Sequence, residues 1–545
     1  MEERKGFGSN FGFLMAAVGS AVGLGNIWGF PYKMGANGGF TFLLVYIFLG
    51  VTCGFIVMIS ELAMGRKTGK GAVEAYRIVS KKFKWMGWLG ILSAFFILFF
   101  YCALGGYCIK YVVLNVGDLF NAGFGAEAIA AAAEGTSPGA SVFDALIGNP
   151  LEGVIYGLIF VALTMIIVLG GVGGGIEKVC SIGMPALFVA LLICIIRACT
   201  LEGTDVAVQI LQADGSLVEG VVNGSALDGL KYMFSPGWAA NVGYYVPAKA
   251  VVDGAEVSSI MVNGVAQAIV AYKSGAPSIF NVVSTAGGQM FFSLSLGMGA
   301  MITYGSYLGK NENLPKNSVI IVISDTLVAI MAGLAVIPAA VANGIAKGMA
   351  VSDIKLGGPN LLFATLQDVF HDMGTIGGIF GLIFYALVLI AAISSAISLI
   401  EAVSVTFIDH ASAKGHERDR NKVLAVVCLA ITLLACLVAV DGLGSNGIAP
   451  KDLFHINSKA DWCADWLDFM DMISEGIAMP LGAMLMSIMV GWEIKPKSLY
   501  GEIDSGYNGH IHGFYTFCIK YLCPVIMFFI LLVQISTFFG LGWFN

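Results

Sequence analysis

The chain has 545 residues, of which 57% are hydrophobic and 12% charged; soluble domains run at roughly 45–50% and about 25%. A net charge of -7 argues against a basic nucleic-acid surface, so no nucleic-acid partner is expected. Most of the cysteines (Cys53, Cys102, Cys194, Cys428 and Cys518 among them) lie inside apolar stretches as small hydrophobes, and His371, His410 and His455 lack metal-ligand spacing or a nucleophile partner, so no enzyme is expected.

Apolar stretches of about 20 residues, the length that crosses a bilayer, set the predicted elements. They fall at about 10–33, 40–64, 86–114, 151–171, 180–199, 278–308, 318–343, 374–408, 423–440, 470–492 and 512–541. The first follows the short basic start Arg4-Lys5, but it holds Asn26, Pro31 and several glycines without a small-residue cleavage site. It reads as a retained helix, not a signal peptide. Basic residues set the orientation. The loop after the second span carries Arg66, Lys67, Lys70, Arg77, Lys81, Lys82 and Lys84, and the loop after the eighth carries Lys414, Arg418, Arg420 and Lys422. Asp441, Asp452, Asp461, Asp465 and Asp468 fall on the other side. This predicts a cytoplasmic N-terminus and, with eleven spans, an extracellular or periplasmic C-terminus of a plasma (inner) membrane protein.

Two outer segments are long. Residues 115–150 hold an expected short helix at Ala130–Ala133; residues 200–277 alternate at Val218–Val222 and Val257–Val262, the pattern of a small hairpin. An extracellular cap is expected there, with a partner-binding role as the alternative.

The first span reads Gly19-Ser20-Ala21-Val22-Gly23-Leu24-Gly25-Asn26-Ile27-Trp28-Gly29-Phe30-Pro31. Each glycine costs a helix about 1 kcal/mol relative to alanine, and a freed backbone group in lipid costs several more. A break here is tolerable only against protein or a watery cavity. The sixth span repeats the device in Ser293-Leu294-Ser295-Leu296-Gly297-Met298-Gly299. Glycine for close helix packing is the blander reading; two breaks five helices apart instead fit an inverted repeat with a midplane site. Broken helices offer N–H groups to an anion and carbonyls to a cation. Asn26, Ser293, Ser394 and Ser395 add neutral oxygens of the kind sodium takes, although paired serines also bond back to their own helix.

The first-span motif, the Glu61-Leu-Ala-Met-Gly-Arg66 segment, the Gln289…Ser-Leu-Ser-Leu-Gly segment and the eighth-span serines together resemble the neurotransmitter:sodium symporters, in their bacterial amino-acid branch. The resemblance implies an all-α integral membrane fold: a 5+5 inverted repeat with unwound first and sixth helices, plus one extra helix. Residues 1–200 would form the first repeat, 201–277 an extracellular loop, 278–492 the second repeat, and 493–545 the eleventh helix. It implies sodium ions, two in number, as the coupling species. One would take Ala21, Asn26, Ser293 and Ser324; the other Gly19, Val22, Ala391, Ser394 and Ser395. The amino-acid substrate would touch Ala21, Leu24, Gly25, Tyr101, Phe292, Ser293 and Ser295, with its side chain against Ile97, Met298, Ser395 and Leu399. Glu61 would hold the broken backbone, since a buried carboxylate needs such work. Glu401 is a second intramembrane acid that the resemblance leaves without a role.

The chain also departs from the family pattern. Gly29 stands where an arginine precedes Phe-Pro, while its acidic gate partner survives as Asp471. Lys33, one turn on, either substitutes or is a lone interfacial lysine. Asp325, beside Ser324, resembles the carboxylate that replaces chloride in chloride-independent members, so no chloride requirement is expected. Arg4 and Asp409 match the inner gate, with Tyr307 bracing Arg4. Gly23 stands where monoamine carriers place an acid, which predicts a substrate with its own carboxylate. The Gly-Met-Gly at 297–299 resembles members that accept large side chains. The expected function is sodium-coupled symport of large hydrophobic or aromatic L-amino acids across a lipid bilayer. A symporter of another small zwitterion and an ion channel are the alternatives.

Overall fold

The computed structural model describes residues 6–132, 137–201, 205–223, 225–234, 243–252, 254–274, 278–346, 354, 356–456, 461–507 and 509–544. Among these, nine helices are long and apolar enough to cross a membrane, from Phe40–Thr68 to His512–Phe538. The first span is a further one in two pieces, Asn10–Ala21 and Gly25–Ala36, bent by 54°. The sixth is likewise divided, into Ile279–Ser293 and Ala300–Gly305, each too short to cross alone. The protein is an all-α membrane protein, with both interruptions where the glycine-rich motifs stand.

Burial sorts the spans into an inner and an outer set. The most apolar windows of Met86–Leu119, Gly377–Ala413 and Phe40–Thr68 are 78%, 72% and 72% buried, whereas those of Pro150–Leu169 and Val172–Cys199 are 33% and 28%. Ile166, Ile182, Ile196, Val426 and Val525 on the outer set are exposed, an apolar belt that suits hydrocarbon and not water. The third and eighth spans pack along much of their length and form the wall that faces the two broken spans.

The fifth span starts earlier than its hydropathy suggests, at Val172 and not near 180. Gly171, at φ +75°, makes the turn from the fourth span, and the polar pair Glu177-Lys178 lies inside the helix at its first turns. The helix expected at Ala130–Ala133 runs Ala126–Ala131.

The segment before the sixth span exceeds a hairpin. Strands β1 (Asp205–Leu211), β2 (Leu217–Asn223), β3 (Gly243–Pro247), β6 (Ser259–Val262) and β7 (Val265–Ser274) form one mixed sheet in the order β2-β1-β7-β3, with β6 also on β7, while β4 (Ala250–Val252) and β5 (Ala255–Val257) pair separately. β1 and β2 do pair as a hairpin, Asp205 opposite Asn223, but β7 joins β1 in parallel. A parallel partner comes from far along the chain, which alternation within one stretch cannot reveal. The helix Ala226–Phe234 between β2 and β3 rests on the seventh span: a Cβ on Gly229 would stand 2.5 Å from Pro338 Cα. This end of the bundle is called the sheet face below, and the end carrying Asn10 and Arg66 the basic face.

Candidate functional site

The two breaks hold each other. Ser9 caps the first span by accepting the Gly12 N–H at 2.9 Å, and the helix runs until Val22 turns extended (ψ 103°). The N–H groups that follow find side-chain acceptors: Gly23 N–H donates to Asn26 Oδ1 at 2.9 Å and Leu24 N–H to Tyr101 Oη at 3.0 Å. In the sixth span Ser295, Gly297 and Gly299 sit at φ +54°, +79° and +81°. Glycine takes this region freely, whereas Ser295 holds it against steric cost. Ser295 Oγ donates to Ser20 O at 2.9 Å, and Gly297 N–H donates to Glu61 Oε1 at 2.8 Å. Glu61 is fully buried, with its carboxylate at the broken backbone of the sixth span. Arg66, at the end of the same helix, donates to Glu312 O at 2.7 Å and to Glu502 Oε2 at 3.0 Å, tying the second span to the loops of the basic face.

Two clusters of oxygens flank these breaks. In the first, Asp325 Oδ1 accepts from Ser293 Oγ at 2.7 Å and Asn26 Nδ2 at 2.8 Å, Asp325 Oδ2 accepts from Tyr46 Oη at 3.0 Å, and Asn26 Nδ2 also donates to Ser293 Oγ at 2.8 Å. Asp325 is fully buried. Ser324, expected among the ligands, is not brought to this cluster. It is part-exposed, and one helical step of about 100° turns it from the face that Asp325 presents. In the second cluster Ser395 Oγ lies 3.2 Å from Gly19 O, 3.4 Å from Ser20 O and 3.2 Å from Val22 O, while Ser394 Oγ donates to Ala391 O at 3.0 Å. The five groups expected there, from Gly19, Val22, Ala391, Ser394 and Ser395, come together. The second cluster sets hydroxyl and carbonyl oxygens side by side, a chemistry that suits a hard cation; in the first, the Asp325 carboxylate is met by three donors, and Asn26 turns its amide nitrogen to it while its Oδ1 takes the Gly23 N–H.

Between the clusters lies a cavity of about 20 Å³, room for one or two waters. Ala21, Gly25, Ile97, Tyr101, Phe292, Ser293, Ser295, Met298, Ser395 and Leu399 all line it, with Ser20, Gly23 and Asn26. Leu24 contributes only its backbone, through Tyr101. A Cβ on Gly23 would stand 2.6 Å from Tyr101 Oη and 2.8 Å from Ser395 Oγ, so any side chain at that position requires Tyr101 or Ser395 to move.

The gate residues are arranged partly otherwise than expected. Lys33 Nζ bonds Glu475 Oε1 at 2.7 Å, and not Asp471 one turn earlier. Glu475 was missed, although its i+4 spacing from Asp471 puts both on one helix face. Gly29 faces Gln289, whose Nε2 donates to Gly25 O at 3.1 Å. Arg4 lies outside the described residues. Asp409 accepts the Gly71 N–H at 2.7 Å and lies 3.5 Å from Lys70 Nζ. Tyr307 Oη donates to Glu401 Oε1 at 2.7 Å, and Arg420 Nη2 bonds Glu401 Oε2 at 2.5 Å. Glu401 thus ties the sixth, eighth and ninth spans together at the basic face.

Two interrupted helices, with paired polar clusters beside a small cavity lined largely by apolar groups, are the arrangement of a secondary transporter rather than of a pore. The sequence model of the sodium:neurotransmitter symporter family matches residues 4–119 and 250–545, and the chain belongs to that family; it is a sodium-dependent symporter. It is 30% identical to the uncharacterized sodium-dependent transporter YhdH of Bacillus subtilis, over 97% of this chain and 98% of that one. It is 26% identical to the uncharacterized sodium-dependent transporter MJ1319 of Methanocaldococcus jannaschii, over 99% and 92%. Among solved structures it resembles MhsT in complex with L-phenylalanine, with a TM-score of 0.73, 28% identity, and coverage of 97% of this chain and all of that one.

Proposed function

We propose that this protein carries large hydrophobic or aromatic L-amino acids inward with two sodium ions and without chloride, by alternating access. The observation that carries the reading is the pocket wall: Ile97, Phe292, Met298 and Leu399 are apolar, while the Gly25, Tyr101 and Asn26–Ser293 end is polar. A zwitterion's carboxylate meets the polar end and an apolar side chain the wall; a charged side chain would be stranded at a cost of several kcal/mol. The contact at Gly23 supports a substrate that brings its own carboxylate. One sodium sits among Ala21, Asn26, Ser293 and Asp325, with Asp325 in place of chloride; the other among Gly19, Val22, Ala391, Ser394 and Ser395. MhsT's complex with phenylalanine is consistent with this class. The basic face is cytoplasmic and the sheet face extracellular or periplasmic.

The test is uptake of labelled leucine into proteoliposomes, competed by glycine, alanine, leucine, phenylalanine and tryptophan, in sodium chloride and sodium gluconate. Phenylalanine or tryptophan should compete best, equally in both salts, and tryptamine should not compete. The small cavity favours a second reading, a small zwitterion; glycine or alanine competing best would establish it instead.

A further inference from the structure

We propose that a cleft between the fifth, seventh and eighth spans, near the sheet face, holds one anionic phospholipid, with an acyl chain in the cleft and the phosphate on Arg197. The walls come from Cys194 of the fifth span, Ala335 and Ala339 of the seventh, Phe380 and Phe384 of the eighth, and the helix Leu366–Asp372. Arg197 is the one charged group among the lining residues. The cleft encloses about 20 Å³, an apolar space that stays dry and suits the end of a hydrocarbon chain, not a ring or a peptide. Ile193 and Ile196 of the fifth span and Ile379 of the eighth are exposed, so the cleft lies beside the belt that hydrocarbon covers. From Lys178 to Arg197 the fifth span rises about 28 Å, close to the roughly 30 Å of a hydrocarbon core. The two cations therefore mark opposite headgroup levels. Cys194 and Phe384 lie one turn nearer the midplane than Arg197 and Phe380, so the cleft runs from the cation into the bilayer, as an acyl chain does.

The arginine itself points to an anion. Arg66, Arg77 and Arg420 each bond a carboxylate. Arg197 bonds none among the described residues: its Nη1 reaches Thr200 Oγ1 at 3.4 Å, and its buried Nε has no hydrogen-bond partner. The guanidinium is laid over the Phe380 ring, 6.0 Å from the centroid, where cation–π attraction holds it in place. A buried N–H without an acceptor is costly. An arginine that only reached for water would carry its donors out of the apolar wall, whereas this one keeps Nε inside it. Nε with an Nη forms a two-pronged edge that matches the oxygens of a phosphate. Free phosphate would satisfy the arginine and leave the apolar cleft empty; a phospholipid satisfies both. No acidic group in the lining is present to meet an ammonium headgroup, which favours a lipid of net negative charge.

The experiment titrates the purified full chain in detergent micelles with phosphatidylglycerol, with phosphatidylcholine of the same acyl chains, and with inorganic phosphate. Native mass spectrometry counts bound lipid, and melting temperature is read in parallel. The parent should hold one phosphatidylglycerol about tenfold more tightly than phosphatidylcholine, with its melting temperature raised by the lipid and unmoved by phosphate. Arg197→Gln should weaken phosphatidylglycerol about tenfold and erase the preference, while Arg197→Lys keeps a preference of about threefold. Ala339→Phe fills the cleft and should weaken both lipids about tenfold alike, leaving their ratio unchanged. Sodium-dependent thermal stabilisation checks that each variant is folded; should Ala339→Phe fail that check, the smaller Ala339→Leu takes its place. Phosphatidylglycerol bound equally by the parent, Arg197→Gln and the filled cleft would overturn the proposal, because that is lipid of the general annulus. Phosphate raising the melting temperature as far as phosphatidylglycerol does would also overturn it, in favour of a free-anion site. Neither readout needs a transported substrate, so the amino-acid assignment stands or falls separately in the uptake assay.

Discussion

Replacing Asp325 with asparagine tests the charge at the first oxygen cluster with little change of shape. Asp325 Oδ1 takes hydrogen bonds from both Asn26 and Ser293, and Oδ2 takes one from Tyr46. Two costs follow. Its carboxylate would stand about 4 Å or less from a cation held by Asn26 and Ser293, and two unit charges at 4 Å attract by about 4 kcal/mol at an effective dielectric of 20. The asparagine amide also turns one acceptor into a donor facing existing donors, and a hydrogen bond to a charged group is worth about 1.5–3 kcal/mol. Relaxation and entering water recover part of both, so a loss of about 2–4 kcal/mol is expected, about 30- to 1000-fold in the sodium dissociation constant. The assay is sodium-dependent thermal stabilisation of the purified protein in sodium gluconate and in sodium chloride. Chloride should restore a measurable part of the lost affinity in the variant and do nothing for the parent. Sodium affinity unchanged in gluconate would refute the assignment of Asp325 as the counter-charge.

At the second cluster, Ser395→Ala removes the hydroxyl between three carbonyls and should weaken sodium by about tenfold, the worth of one well-placed ligand; a sodium titration of uptake reads it. Gly23→Asp places its Cβ on Tyr101 Oη and Ser395 Oγ and should abolish uptake with a loss of about 1–3 kcal/mol in stability from overpacking alone; gain of tryptamine transport instead would mean that the pocket reshapes around an acid. Arg420→Ala strands the buried Glu401 carboxylate and should lower the melting temperature more than Glu401→Gln, which leaves no buried charge. Equal effects of the two would show that the arginine contributes packing and not charge.

The glycine-rich interruptions were legible because their chemistry is local: a helix that must open cannot hide its glycines, and the Asn26, Ser293, Ser394 and Ser395 oxygens stand within a few residues of the openings. Ser324 against Asp325 was not decidable from sequence, since hydropathy gives no phase finer than a residue and the answer depends on which face of the seventh span turns to the first. Lys33 with Glu475 was half legible; a lysine one turn from Gly29 was visible, but its choice between two acids a turn apart depends on how far its stem lies back along the helix. The start of the fifth span was missed because Gly173-Gly174-Gly175 and Glu177-Lys178 break the apolar window while the backbone stays helical. The sheet before the sixth span was underestimated because β1 and β7, some sixty residues apart, are joined in parallel.

The helix Ala226–Phe234 does more than connect strands. Tyr232 lies against Gly35, where a Cβ would collide with the phenol ring, and Met233 fills the space over Gly333 of the seventh span. Its opposite side reaches water, with Leu227 57% exposed. Any tilt of the Gly25–Ala36 half-helix must slide past Tyr232 or carry it along. A fluorophore at Leu227→Cys would therefore turn opening and closing of a pocket buried at midplane into a light signal read from the aqueous phase, with no label inside the bundle.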